Sequence, residues 1–220
     1  MTRKGGNLMS IHSIPSFNSN EALIQSLMKV KDVNNEQEMM GVISSAMDSV
    51  SLSFLGKNFA SYYDTLRSEG NQEALEGLRQ MAIHMIDNPN NTTAMNFVNI
   101  MSSRDNDDGF LNEFFSTVNQ IGETGNQLGN WINTFTSLES SSNQDGFIRT
   151  TQNILSSEGS SEEIREAFSD FVQTTDQIVS RYDDQDRRSE SLDNFFSHLR
   201  DFETLEDFAL GLGHFRDNMG

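Results

Sequence analysis

Apolar residues recur along this chain at the spacing of a helix face, and that recurrence admits few folds. At about 100° of rotation per residue, Phe110, Leu111, Phe114, Phe115, Val118 and Ile121 share one continuous arc, while Asn112, Glu113, Ser116, Thr117, Asn119 and Gln120 fill the remainder. The same division holds for Leu75, Leu78, Ala82, Met85 and Ile86, for Leu128, Trp131, Ile132, Phe135 and Leu138, and for Phe147, Ile148, Thr151, Ile154 and Leu155. A longer stripe joins Ile164, Ala167, Phe168, Phe171, Val172, Ile178 and Val179, interrupted by Thr175, whose hydroxyl can bond back to the preceding turn. Leu192, Phe195, Phe196 and Leu199 follow, then Leu205, Phe208, Ala209, Leu212 and Phe215. Helices this short are marginal alone in water, so each arc must be buried against another. Sixteen Phe against three Tyr and one Trp make the expected core phenylalanine-rich, because most of the aromatic surface lacks a polar tip.

Helix boundaries are marked independently. Ser160 and Glu163 have capping-box spacing; Asn18 with Glu21, Asn35 with Glu38 and Thr204 with Asp207 resemble it. Glu162, Glu163 and Glu166 fall where a helix dipole favours negative charge. Segments 105–109, 122–126, 140–146 and 182–188 have turn or loop composition, and the Asp-Gly-Phe runs at 108–110 and 145–147 read as caps of helices opening at Phe110 and Phe147. Val50, Leu52 and Phe54 alternate with serines, yet Ile43, Met47, Val50 and Phe54 keep helical spacing, so this segment too is expected to be helix.

No run approaches the roughly 20 apolar residues that span a bilayer, and no apolar stretch near the amino terminus has the length of a secretory core. The absence of cysteine excludes disulfides, thiolate metal sites and cysteine nucleophiles. Lys4-Gly5-Gly6 is encodable as a ribosome-binding sequence shortly before Met9, which suggests a start at Met9 in a prokaryotic or phage gene. Charge is uneven. Residues 1–60 balance at zero, whereas residues 61–220 hold 10 basic and 28 acidic groups, the whole net charge of −18. Such a surface repels phosphate backbones and anionic membranes but attracts basic proteins. Scarce lysine also fits life in high salt, against which the abundant Asn and Ser count.

Candidate chemistry is thin. His84 and His214 point away from their own stripes, His198 sits at a rim and His12 lies in the tail; no pair has the spacing of a helical zinc site. They are expected to be exposed and isolated. With Gly109 at the sixth position of a calcium loop, Arg104 would stand first and Phe115 twelfth, and neither supplies the ligand required. The second Asp-Gly-Phe places Gln152 where a bidentate acid belongs. Leu-Gly-Leu-Gly at 210–213 follows no strand, and neither a phosphate-binding loop nor a nucleophile elbow occurs. Glu162, Glu163, Glu166 and Asp170 share the polar face opposite Ile164 and Phe168, a poor setting for a general acid. No catalytic, cofactor-binding or metal-binding residue is assigned.

Architecture does recur. The two Asp-Gly-Phe runs are 37 residues apart, as are Trp131 and Phe168, and Phe135 and Val172. That length suits a helical hairpin stacked on its neighbours. The amino-terminal third differs in carrying many methionines, and Met28, Met39, Met40 and Met47 make a candidate face for docking a partner, since thioethers adapt to varied shapes.

The chain therefore reads as all-α, a multi-helix bundle or short stack of helical hairpins with roughly ten short helices. Residues 1–18 form a flexible tail, 19–70 an amino-terminal helical subdomain, and 71–220 an acidic helical body packed with it. The expected function is a non-enzymatic, cytoplasmic interaction or scaffold protein with a protein partner, basic in character, and no cofactor. Two alternatives stand beside it. One is a secreted effector or secretion-apparatus component leaving by a specialised pathway, motivated by the acid-free segment 10–20. The other is an acidic DNA mimic that occupies a DNA-binding protein.

Overall fold

From residue 54 onward the apolar stripes lie on helices, with Leu138 and Leu199 just past the ends of theirs. The structure, a computed structural model, describes residues 54–87, 91–104, 107–125 and 127–219. The helices expected over residues 23–28 and 39–53 lie outside them. Among the described residues there are nine helices and no strand: α1 (Phe54–Glu69), α2 (Gln72–Asp87), α3 (Asn91–Ser103), α4 (Asp108–Glu123), α5 (Leu128–Thr136), α6 (Ser141–Leu155), α7 (Ser161–Arg181), α8 (Gln185–His198) and α9 (Leu205–Met219). The protein is all-α. The chain divides after Gly56, and the arrangement that follows is that of the unit Lys57–Gly220.

From α2 onward each helix lies beside its second neighbour. In one layer α2 touches α4, α4 touches α6 and α6 touches α8; in the other, α3, α5, α7 and α9 do the same. Contacts of α4 with α5, α6 with α7, α7 with α8 and α8 with α9 join the layers. This is the order of stacked helical hairpins, in which each unit buries its apolar face only against the next. The multi-helix assembly expected from the sequence is thus ordered as a stack.

A line of aromatic rings runs between the layers, one helix at a time. Phe97 of α3 meets Phe114 of α4 at 5.6 Å, and Phe114 meets Trp131 of α5 at 5.4 Å. Trp131 meets Phe147 of α6 at 5.4 Å, Phe147 meets Phe171 of α7 at 5.1 Å, Phe171 meets Phe195 of α8 at 5.9 Å and Phe195 meets Phe215 of α9 at 4.8 Å. All but Phe215 are buried. Such ring pairs contribute about 0.5–1.5 kcal/mol beyond their burial.

Threonines add a polar stitch. A buried hydroxyl needs a partner, and three threonines each donate to the carbonyl four residues back while accepting from another helix. Thr151 donates to Phe147 O (2.8 Å) and accepts the Trp131 indole N–H (2.9 Å). Thr117 donates to Glu113 O (2.7 Å) and accepts from Gln152 Nε2 (2.9 Å), and Thr174 donates to Asp170 O (2.7 Å) and accepts from Arg216 Nε (2.9 Å). Thr175 bonds back to Phe171 O at 2.9 Å, as its place in the stripe suggests.

Between α2 and α4 the backbones come close at Gly77, where an added Cβ would lie 1.7 Å from the Phe115 carbonyl oxygen. The flanking bonds, Asn71 Nδ2 to Asn112 Oδ1 at 2.8 Å and Gln80 Nε2 to Asn119 Oδ1 at 3.0 Å, advance in the same direction along both helices, so α2 and α4 run parallel. At Gly70 the chain takes φ +71°, with Asn71 N bonded to Leu66 O and Gly70 N to Arg67 O. This left-handed cap, which glycine favours, ends α1.

The expected caps form at Ser160, where both halves of the box with Glu163 are made, and at Thr204, which accepts from Asp207 N at 3.1 Å. Several boundaries differ from the sequence reading: Asp108 and Gly109, expected to precede a helix opening at Phe110, already belong to α4, which Asp107 caps, and Gly122 and Glu123 end that helix. Asp184 caps a helix that already includes Gln185 to Arg188. Residues 141–146 are helix, capped by Ser140, so Asp145 and Gly146 sit within α6 and cap nothing. Two polar residues there are buried and bonded: Asn143 donates to Asp193 Oδ1 at 2.8 Å, and Gln144 Nε2 to Leu138 O at 2.9 Å.

Candidate functional site

Among the described residues, the layer of α3, α5 and α7 borders two surface hollows. Helix α5 has only nine residues, about 13 Å of helix, beside the 21 residues and roughly 31 Å of α7. Part of α7 therefore runs past its neighbour and walls a groove of about 740 Å³. Gln127, Asn130 and Asn133 line one side. Glu162, Arg165, Glu166, Gln173 and Asp176 of α7 line the other, with Phe168 and Val172 at the base. Trp131, Ile132, Thr134, Phe135 and Thr136 face inward on α5, which leaves Asn130 and Asn133 outward.

The outward amides repeat from helix to helix. Asn96 and Asn99 on α3 and Asn130 and Asn133 on α5 are three residues apart, and Gln173 and Gln177 on α7 are four apart; all six are exposed. Either spacing places both members of a pair on one face. Thr93 donates to Asn133 Oδ1 at 3.0 Å, linking the faces of α3 and α5. A second hollow of about 500 Å³ opens where α3 passes the end of α5, lined by Asn96, Asn99, Ser103, Glu139, Gln144 and Arg188 among others. Gln144 is 3% exposed, and its Oε1 has no hydrogen-bond partner among the described residues. On the α7 wall Arg165 pairs with Glu162 at 3.1 Å, while Glu166 and Asp176 have no ion pair among the described residues.

The acidic turn before α4 serves the fold. Asp107 caps α4 by accepting from Phe110 N, and Arg104 bonds Asp107 and Asp145 at 2.8 Å each while its guanidinium lies 4.0 Å over the Phe110 ring. Partial burial works against the Arg104 charge, but the two carboxylates outweigh it and raise its pKa. Nearby, Glu113 is pushed up from the ordinary carboxylate value, first by partial desolvation, with Arg149 opposing and Asp145 and Asp107 adding to the rise.

The other residues singled out in the sequence fall as follows. Met28, Met39, Met40, Met47 and His12 lie outside the described residues. His198 and His214 are exposed, as expected. His84 is half-buried against α5: a Cβ on Gly129 would lie 2.9 Å from its Cε1. The periodicity of α2 alone could not show that another helix covers its outer face there. No group of three or more His, Cys, Asp or Glu side chains among the described residues is placed to hold a metal ion. No described helix is long and apolar enough to cross a membrane.

No protein-family model, curated protein or solved structure matches the chain.

The groove itself escaped the sequence reading. Its signal is the outward amide pair on successive helices of one layer, which becomes legible only once helices are assigned to layers.

Proposed function

We propose that this chain is a non-catalytic protein-binding scaffold, at work in the cytoplasm of a prokaryote or of a phage-infected host. The observation that carries the reading is the α3–α5–α7 layer, where stacked hairpins present grooves lined by outward amides and solvated carboxylates. Stacked hairpins lend themselves to extended binding surfaces because each unit adds a helix to the same face. The net charge of −18 favours a basic protein and disfavours nucleic acid. The carboxylates of the groove serve this role as fixed, hydrated charges that speed encounter and select the partner.

The test is affinity capture from the native host with the intact chain, read by quantitative mass spectrometry against an unrelated acidic helical protein of similar charge. A stoichiometric, salt-sensitive protein partner is expected. Recovery of the same proteins on both baits would reject the proposal. Removal of residues 1–70 from the bait then reports whether the methionine-bearing amino-terminal portion contributes to docking.

A further inference from the structure

We infer that the α3–α5–α7 face binds an extended, arginine- or lysine-bearing polypeptide segment, with the outward amides holding its backbone and the α7 wall holding its basic side chains. The inference rests on the scaffold reading above and names the partner's chemistry and its seat.

A peptide backbone offers alternating N–H and C=O groups, and a carboxamide is the uncharged side chain that supplies a donor and an acceptor at once. Amide pairs stand outward on three successive helices of one layer. Neighbouring helices in such a layer lie about 8–10 Å apart, so α3 to α7 spans about six residues of extended chain. Helix-to-helix repetition suits a regular backbone better than a compact ligand. A second observation is independent of the first. Gln144 Oε1, at the edge of the hollow beside α3, is a buried acceptor without a donor among the described residues. A buried carbonyl in that state is costly, and a backbone N–H or guanidinium laid along the face is the kind of group that relieves it.

Charge then chooses the side chains. Glu166 and Asp176 on the α7 wall have no ion-pair partner among the described residues, and Glu162 is offset by Arg165. The groove is thus net negative over a base containing Phe168 and Val172, which matches a charged head on an aliphatic stem.

The probe is a fluorescein-labelled peptide of alternating arginine and serine, about ten residues long so as to cross the face, with a glutamate–serine counterpart. Both are titrated by anisotropy against the full chain at low and physiological salt. The basic probe is expected to bind and the acidic one not. The charge-preserving double variant Asn130→Ala/Gln173→Ala should weaken binding about fivefold or more, and Glu166→Gln/Asp176→Asn about tenfold or more. A remote pair, Glu203→Gln/Asp217→Asn, should change it less than about twofold. Equal losses from the two acidic pairs, no loss from the amide pair, or no binding of the basic probe would each overturn the inference. Circular dichroism of these surface variants should match that of the parent chain. If a partner captured by the intact chain is retained by the groove variants, the groove assignment fails while the scaffold reading stands. If the intact chain captures nothing specific, the scaffold reading itself fails.

Discussion

Replacing Phe147 with alanine probes the aromatic line at a ring whose partners lie on three other helices. Phe147 is fully buried, with ring centroids of Trp131 at 5.4 Å, Phe171 at 5.1 Å, Phe196 at 6.3 Å and Phe135 at 6.4 Å. A buried Phe→Ala change costs about 3–5 kcal/mol in lost transfer energy and residual cavity. Four ring partners on three other helices leave little freedom for the site to collapse, so the upper half of that range applies, about 4 kcal/mol. With a urea dependence of roughly 2 kcal/mol/M, the unfolding midpoint should fall by about 2 M. The assay is equilibrium urea unfolding followed in parallel by far-UV circular dichroism and by Trp131 fluorescence. Phe147→Leu keeps most of the volume and should lose only about 1–1.5 kcal/mol. Leu210→Ala, at a side chain 59% exposed, should stay within about 0.5 kcal/mol of the parent. A loss below about 1 kcal/mol for Phe147→Ala would refute the claim that the rings hold the layers together.

Further outcomes follow from single contacts. Gly77→Ala places a methyl against the Phe115 carbonyl and should destabilise by about 1–3 kcal/mol despite alanine's better helix propensity; Gly213→Ala in α9, with nothing within 4 Å of the added Cβ, should stabilise by about 0.8–1 kcal/mol. Both are read by thermal or urea unfolding. Ser160→Ala removes the cap of α7 and should cost about 1 kcal/mol. The fold raises the pKa of Glu113, so the native state binds more protons than the unfolded chain between the ordinary carboxylate value and the raised one. Glu163, whose pKa the bonds with Ser160 lower, contributes in the opposite sense, and the Glu113 contribution to stability slopes downward as pH rises through that window. Glu113→Gln should flatten that slope, checked by urea midpoints across the acid range; an unchanged slope would assign it to other groups.

Much of the fold was legible because burial was written with a helical period. The stripes from Phe110 to Phe215, the Ser160–Glu163 box and the back-bonded Thr175 needed no tertiary information. The failures have physical reasons. Helix α3 was overlooked because Ala94, Met95, Phe97, Val98, Ile100 and Met101 follow a spacing nearer three than 3.6, while Phe97 and Met101 are nevertheless fully buried. The start of α6 was read as loop because Asn143 and Gln144 are polar residues in core positions; Asn143 bonds Asp193 across the fold, and Gln144 bonds the Leu138 carbonyl in the preceding turn. His84 was placed in solvent because one helix face cannot reveal what another helix lays over it. The groove depends on α5 being shorter than α7 and lying next to it. The first condition is local, but the second is set by packing between layers.

Trp131 gives the most direct check on the stacked order, since it is the chain's one tryptophan and lies midway along the aromatic line. In a nuclear Overhauser spectrum its indole protons should show cross-peaks to the ring of Phe135 one turn away and, with comparable strength, to Phe114 and Phe147 at 5.4 Å on α4 and α6. A spectrum containing the Phe135 cross-peak without those to Phe114 and Phe147 would mean that the rings do not alternate between layers, and the grooved face built on that alternation would go with it.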